Sequence, residues 1–275
     1  MKQIQFSSVV FTIVVMIFMS PLAAIGEEKD QKKQTDKPDA TDDFSIPDHV
    51  LNIAKENTYP NASEDLEVIE PSDLIQELLE DTDVPIENPE LIKTLNETSL
   101  NPSPIAFGYR GMVYIGRWPL NYKSEDTSIN WDYQPINTNE LNNIGGDRDQ
   151  KIIYSQEEEK EVKGALTSKI SNPEHVKKMM LLSAKKKTKL PLAYRTIIGK
   201  GTKKENAYNV PIKKYGSLKA NVPAVNETGQ VTFGEVYFKL KGTKKSIVVK
   251  NVTKQGIGAW IPIEDHLSFH FNLKE

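Results

Sequence analysis

Three features of the sequence predict an α+β fold: an antiparallel β-sheet domain with a few packed helices and an acidic, helical N-terminal part. Apolar residues recur at helical spacing around residues 74–95 and again at 176–187. From residue 105 onward, β-branched and aromatic runs alternate with glycine- and lysine-rich breaks. One break, Lys241-Gly242-Thr243-Lys244-Lys245, has the composition of a hairpin turn between two such runs.

Taken in order, the first helix starts at Ser72-Asp73 behind Pro71, with Leu74, Ile75, Leu78 and Leu79 as its apolar stripe. The second has Asn88 as N-cap and Pro89 at the first helical position, and turns Leu91, Ile92 and Leu95 inward. Ile105–Trp118 reads as a long strand, bent or bulged at its glycines, and Ile129–Tyr133 as a further strand. Thr138–Gln150 reads as a polar loop around Gly145-Gly146, and Lys151–Tyr154 as a short strand. Ser155 and Glu158 have capping-box spacing, which predicts a helical stretch to about Lys163, with a strand at Ala165–Ile170.

Asn172-Pro173-Glu174 repeats the cap-then-proline start. The helix it opens runs to about Lys187, with Val176, Met179, Met180, Leu182 and Ser183 toward the core. The last third reads as antiparallel strands: Leu192–Ile198 and Ala207–Ile212 flanking a turn, Val231–Leu240 and Ser246–Val252 flanking the hairpin, then Ile257–Ile263 and Leu267–Leu273. The pentapeptide KGTKK occurs at 200–204 and 241–245, but the flanking residues do not match, so it reads as coincidence rather than duplication.

Composition sets the compartment. Residues 1–26 have the layout of a secretory signal peptide. Lys2 precedes an eleven-residue apolar run, Val9–Met19, and Ser20-Pro21 and Ala24-Ile25-Gly26 follow it. That run is short of the ~20 residues a spanning helix needs; an uncleaved anchor is the alternative if Ile4–Phe6 are counted in. Residues 27–43 contain no aliphatic or aromatic side chain except alanine's methyl, which predicts a disordered linker ahead of a single domain at 44–275. The chain has no cysteine, which excludes disulfides, thiol nucleophiles, thiolate metal sites and lipidation on cysteine. The net charge of −3 conceals a split: residues 27–104 carry −15 and residues 105–275 carry +11. Such asymmetry points to a polyanionic partner or to the acidic part lying on the basic one.

Local motifs offer little catalytic chemistry. Lys200-Gly201-Thr202 lacks the earlier glycine of a phosphate loop, Tyr194 standing in its place. His266 and His270 alternate with apolar residues on a strand, where residues four apart lie ~13 Å from each other, too far to share a metal. Glu264-Asp265-His266 reads as a polar turn. Asp147-Arg148-Asp149 gathers oxygen ligands without the order of a calcium loop. The sequence therefore predicts no cofactor and no metal. Lys185, Lys186, Lys187, Lys203, Lys204, Lys244 and Lys245 are the candidate polyanion contacts, on the expectation that their loops share one end of the sheet.

Several segments resemble the YfkD-like family of exported Bacillus proteins: Ser45-Ile46-Pro47, Lys55–Pro60, Lys178–Leu182, Thr188–Ala193, Pro223–Glu227 and Val248–Trp260. The resemblance implies a Gram-positive, extracytoplasmic protein and carries no assigned activity or catalytic residue. The functional expectation is an exported, non-enzymatic, envelope-associated binding protein. Its basic loops would meet an anionic cell-wall polymer or membrane surface; export makes nucleic acid an improbable partner. The alternative is a cell-envelope hydrolase using carboxylates such as Glu235, Glu264 or Asp265, which would have to converge to ~5–9 Å.

Overall fold

A computed structural model describes residues 44–53, 58–59, 68–98 and 110–275. The signal segment 1–26, the linker 27–43 and the predicted strand start at 105–109 lie outside the described residues. In chain order the elements are β1 (Val50–Asn52), β2 (Thr58–Tyr59), α1 (Asp73–Glu80), α2 (Pro89–Glu97), β3 (Arg110–Asn142), β4 (Gln150–Ser155), β5 (Lys160–Lys163), β6 (Ala165–Leu166), α3 (Pro173–Thr188), β7 (Arg195–Ile198), β8 (Lys203–Val210), β9 (Tyr215–Lys241), β10 (Lys244–Pro262) and β11 (His266–Lys274). The α+β class holds, but strand dominates.

The long antiparallel ladder of β3, β9 and β10 organises the unit, with β11 extending it past the end of β10. β9 is central. Its first part, Tyr215–Asn221, pairs with β11 and its second, Ala224–Lys241, with β10. Pro223 falls at the junction, where a missing N–H costs no ladder bond, and its carbonyl accepts the Ile263 N–H at 2.9 Å. β1 and β6 add to the outer edges of β11 and β10. Two smaller sheets, β2–β7–β5 and β4–β8, complete the fold.

Three apolar clusters line this ladder. The first lies under α3, where Val176, Met180 and Ala184 meet Val225, Phe233 and Ile261. The second joins Leu218, Ala220 and Val222 of β9 to Tyr154, Val162 and Ile198 of the small sheets. The third seats α1 and α2, through Ile75, Leu78, Leu91 and Leu95, on Val236, Phe238 and Ile247 near the hairpin end. The acidic helices thus lie on the basic sheet, and Glu90 of α2 forms an ion pair with Lys178 of α3 at 2.7 Å.

The helices expected from residues 72, 88 and 172 onward are present. Asn88 caps α2, its side chain accepting from the Glu90 N–H at 3.0 Å and donating to the Pro119 carbonyl at 2.7 Å. In α1, Leu74 turns to solvent while Ile75 and Leu78 are buried. In α3 the inward residues include Leu181, Ala184 and Thr188, with Leu182 and Ser183 half-buried. Asn172 adopts φ 52° there and makes no side-chain cap.

Strand expectations need correction. Residues 110–142 form one bulged strand, not two strands and a loop; the loop begins at Asn143. The polar stretch Asn137–Asn142 is strand because β9 supplies its ladder, and the Asn137 and Asn139 amides both donate to the Ser155 carbonyl. The capping-box stretch is also strand: Lys160–Lys163 pairs with β7 and buries Val162. Its only apolar residue gives a helix no stripe to bury. β7 and β8 are not a hairpin; they belong to different sheets. The two KGTKK copies differ accordingly. The second is a two-residue hairpin with Lys241 opposite Lys244 and Gly242 at φ 61°, while the first leads into β8.

Candidate functional site

The hairpin end of β3, β9 and β10 presents one face away from α1 and α2. Val236 and Phe238 are buried beneath the helices, so by strand alternation Glu235, Tyr237, Lys239 and Lys241 point to the other side. Register aligns four rungs there. Arg110, Lys241 and Lys244 form the outermost; Met112, Lys239 and Ser246 the next; then Tyr114, Tyr237 and Val248; then Arg117, Glu235 and Lys250. Successive rungs lie ~7 Å apart and neighbouring strands ~4.8 Å. An open cavity of about 400 Å³ is lined by Arg110, Met112, Lys239 and Lys241. Among the described residues, no carboxylate lies within salt-bridge distance of Arg110, Lys239, Lys241 or Lys244.

Two bulges complete the fourth rung. In β3, Gly116 takes φ 145° and opens the register so that Arg117 sits opposite Glu235. In β10 an extra residue between Lys250 and Thr253 puts Asn251 at φ 50°. Arg117 donates to the Asn251 carbonyl at 3.3 Å and to Thr253 Oγ1 at 2.7 Å. Glu235 Oε2 accepts from the Tyr237 hydroxyl at 2.8 Å and from Asn251 Nδ2 at 2.9 Å. These two bonds, with Arg117 and Lys250 nearby, hold the Glu235 carboxyl below the usual carboxylate range; the same hydrogen bond raises Tyr237. The Tyr114 and Tyr237 rings lie 5.1 Å apart, and the Lys250 ammonium lies 5.3 Å from the Tyr237 centroid.

The seven lysines expected to form one patch are not brought together. Lys244 and Lys245 are at the hairpin, with Lys245 on the helix-covered side opposite Leu240. Lys187 bonds Ser124 at 2.5 Å and Thr127 at 3.0 Å, beside Glu227. It is therefore ~13 residues, or ~40 Å of strand, from the hairpin. Lys185 and Lys186 share that helix end. Lys203 and Lys204 pair with Ser155 and Tyr154 in the separate β4–β8 sheet, and Lys204 donates to the Asn52 carbonyl at 2.7 Å. There the Ser155 carbonyl meets Asn137 and Asn139 of β3, opposite Ala220 and Leu218 and so ~9 residues or ~30 Å of strand beyond Glu227. The expectation failed because the α3 end and the hairpin lie at different heights along the β9 ladder, while β8 belongs to a separate sheet.

The carboxylates of the hydrolase alternative do not converge. Glu264 follows Ile263, which bonds to Pro223, whereas Glu235 lies twelve residues along β9, ~40 Å of strand. Glu264-Asp265-His266 forms the turn into β11, with Asp265 at φ 59° and His266 Nδ1 3.0 Å from the Glu264 carbonyl. Asp149 is engaged by Asn209 and by the Ile212 N–H. Among the described residues, no group of three or more His, Asp or Glu is placed to hold a metal.

A second polar cluster had no local signal. Between Asn130 and Gln134, β3 carries two extra residues relative to β9, and Asp132 crosses to meet Asn221, Ser268 and His270 at 2.9, 2.7 and 2.6 Å. Burial opposes ionisation of Asp132, but the Ser268 and His270 hydrogen bonds outweigh it and hold its carboxyl below the usual range. This is not a nucleophilic triad. Ser268 and Asp132 both address His270 Nε2, and Ser268 is fully buried.

The YfkD-like protein family model matches residues 47–275, essentially everything described here. The chain belongs to the YfkD-like family. A relative from Bacillus subtilis (strain 168), "Uncharacterized protein YfkD", is 50% identical over 262 residues, covering 95% of each chain. No solved structure matches the chain. No helix among the described residues of this YfkD-like protein is long and apolar enough to cross a membrane.

Proposed function

We propose that this YfkD-like protein is an exported, non-enzymatic protein of the cell envelope that binds an anionic polymer through the outward face of the hairpin end. The observation carrying the reading is the four-rung arrangement, which sets six cations against one carboxylate on an open three-stranded surface. Export rests on the leader-like residues 1–26. An extended polyanion suits a face whose charges repeat at ~7 Å along the strands. The apolar Met112 and Tyr114 are set back from a polar Gly242-Thr243 tip, a poor wedge for a bilayer, so a soluble polymer is favoured over a lipid surface.

The test is isothermal titration with polyphosphate as probe. Affinity falls about tenfold or more from about 50 to about 300 mM salt, as screened contacts require. At about 1 kcal/mol per charge near an anionic surface, Lys241→Glu with Lys244→Glu lowers affinity about 10² to 10³-fold. Reversing Lys186 and Lys203, which lie off this face, has little effect. Salt-insensitive binding, or no binding, overturns the reading.

A further inference from the structure

Resting on that reading, we infer that the polymer is a glycan carrying anionic groups, with a sugar ring on Tyr114 beside Glu235 and an anionic group on the outer rungs. The starting point is Glu235 itself. A face made only for phosphates gains nothing from a carboxylate set among its cations, which repels them. Yet Glu235 is held ionised by Tyr237 and Asn251, with Arg117 and Lys250 beside it. Both of its described bonds go to Oε2. Oε1 therefore retains its acceptor capacity for a hydroxyl from outside.

Tyr114 supplies the complementary apolar surface. It is 56% exposed, its ring tilted 45° against that of Tyr237, on the rung next to Glu235. The C–H face of a pyranose carries slight positive charge and stacks on the negative face of such a ring. Ring stacking with a carboxylate accepting hydroxyl protons recognises a sugar. Lys239 lies one rung further out, and Arg110, Lys241 and Lys244 two, so an anion ~7–13 Å from the stacked ring is neutralised there.

Titrations with three probes test this: polyphosphate, neutral dextran, and an acidic polysaccharide of matched charge such as polygalacturonate. The acidic polysaccharide is expected to bind about tenfold tighter than polyphosphate, and dextran weakly. Tyr114→Ala and Glu235→Gln each abolish that preference. Glu235→Gln leaves polyphosphate binding equal or stronger, since a repulsive charge is gone. Equal binding of polyphosphate and polysaccharide, or a loss on Tyr114→Ala that is the same for both, overturns the glycan assignment and leaves polyanion binding standing. Binding to neither overturns both, as does preference for vesicles of anionic phospholipid over either polymer. Tyr114 is exposed on the outer strand of the ladder, so its replacement leaves the core intact.

Discussion

Replacing Gly116 by alanine tests whether the β3 bulge is built into the backbone or imposed by side chains. At φ 145° glycine is at ease and L residues are not. An added Cβ would also stand 2.8 Å from Trp118 Nε1, and the indole is held against α3, its ring 5.3 Å from that of His175. Such a backbone conformation costs a non-glycine residue about 1–3 kcal/mol, and displacing the partly buried indole adds about 1 kcal/mol. Any Gly→Ala change also removes unfolded-state freedom, worth about 0.4–1 kcal/mol of stabilisation. Gly145 is the control: its added Cβ meets nothing within 4 Å and its φ is not positive. The difference between the two variants cancels the unfolded-state contribution and is expected at about 2–4 kcal/mol. Urea unfolding followed by circular dichroism measures it, and a melting curve shows it as a fall of about 4–15 °C for Gly116→Ala relative to Gly145→Ala. A difference below about 0.5 kcal/mol would refute the argument, since it would mean the bulge relaxes freely.

Asn88→Ala removes the acceptor of the Glu90 N–H and the side-chain donor to the buried Pro119 carbonyl, and is expected to lower unfolding free energy by about 2–3 kcal/mol in urea titration. Leu95→Ala, at a fully buried site under α2, costs about 2–5 kcal/mol by the same measurement. For Asp132 the folded pKa is depressed, so its stabilising contribution is present above the unfolded carboxylate value and is lost as pH falls through the lower folded value. The stability gap between wild type and Asp132→Asn should therefore be steady at neutral pH and close below about pH 4. A gap that widens on acidification would contradict the hydrogen bonds assigned to Ser268 and His270. Lys178 and Glu90 are both half-buried, so Lys178→Ala, which removes the ion-pair partner of the Glu90 carboxylate, is expected to cost about 1–3 kcal/mol in urea titration.

Much of this protein was legible where few residues decide. Asn88-Pro89 announces α2 because a side-chain acceptor and a proline act within one turn. Alternation in Val236–Lys241 shows which residues share a face, and Gly242 marks the hairpin, because both are local properties. Absence of cysteine and the acidic-to-basic split needed no structure at all. The same alternation could have marked Tyr237, Lys239 and Lys241 as one row, and Arg110, Met112 and Tyr114 as another.

What sequence alone could not supply was the partner of each row. A period of two names a face and leaves the opposing strand open. Tertiary pairing sets Arg110 against Lys241, 131 residues away, and brings Asp132 to His270, 138 residues away. It also turns polar stretches such as Lys160–Lys163 and Asn137–Asn142 into strand, because their backbone groups are satisfied by ladders contributed from elsewhere. Register then decided the site, holding the hairpin cations together and parting them from the lysines of α3, since position along β9 depends on every bulge between.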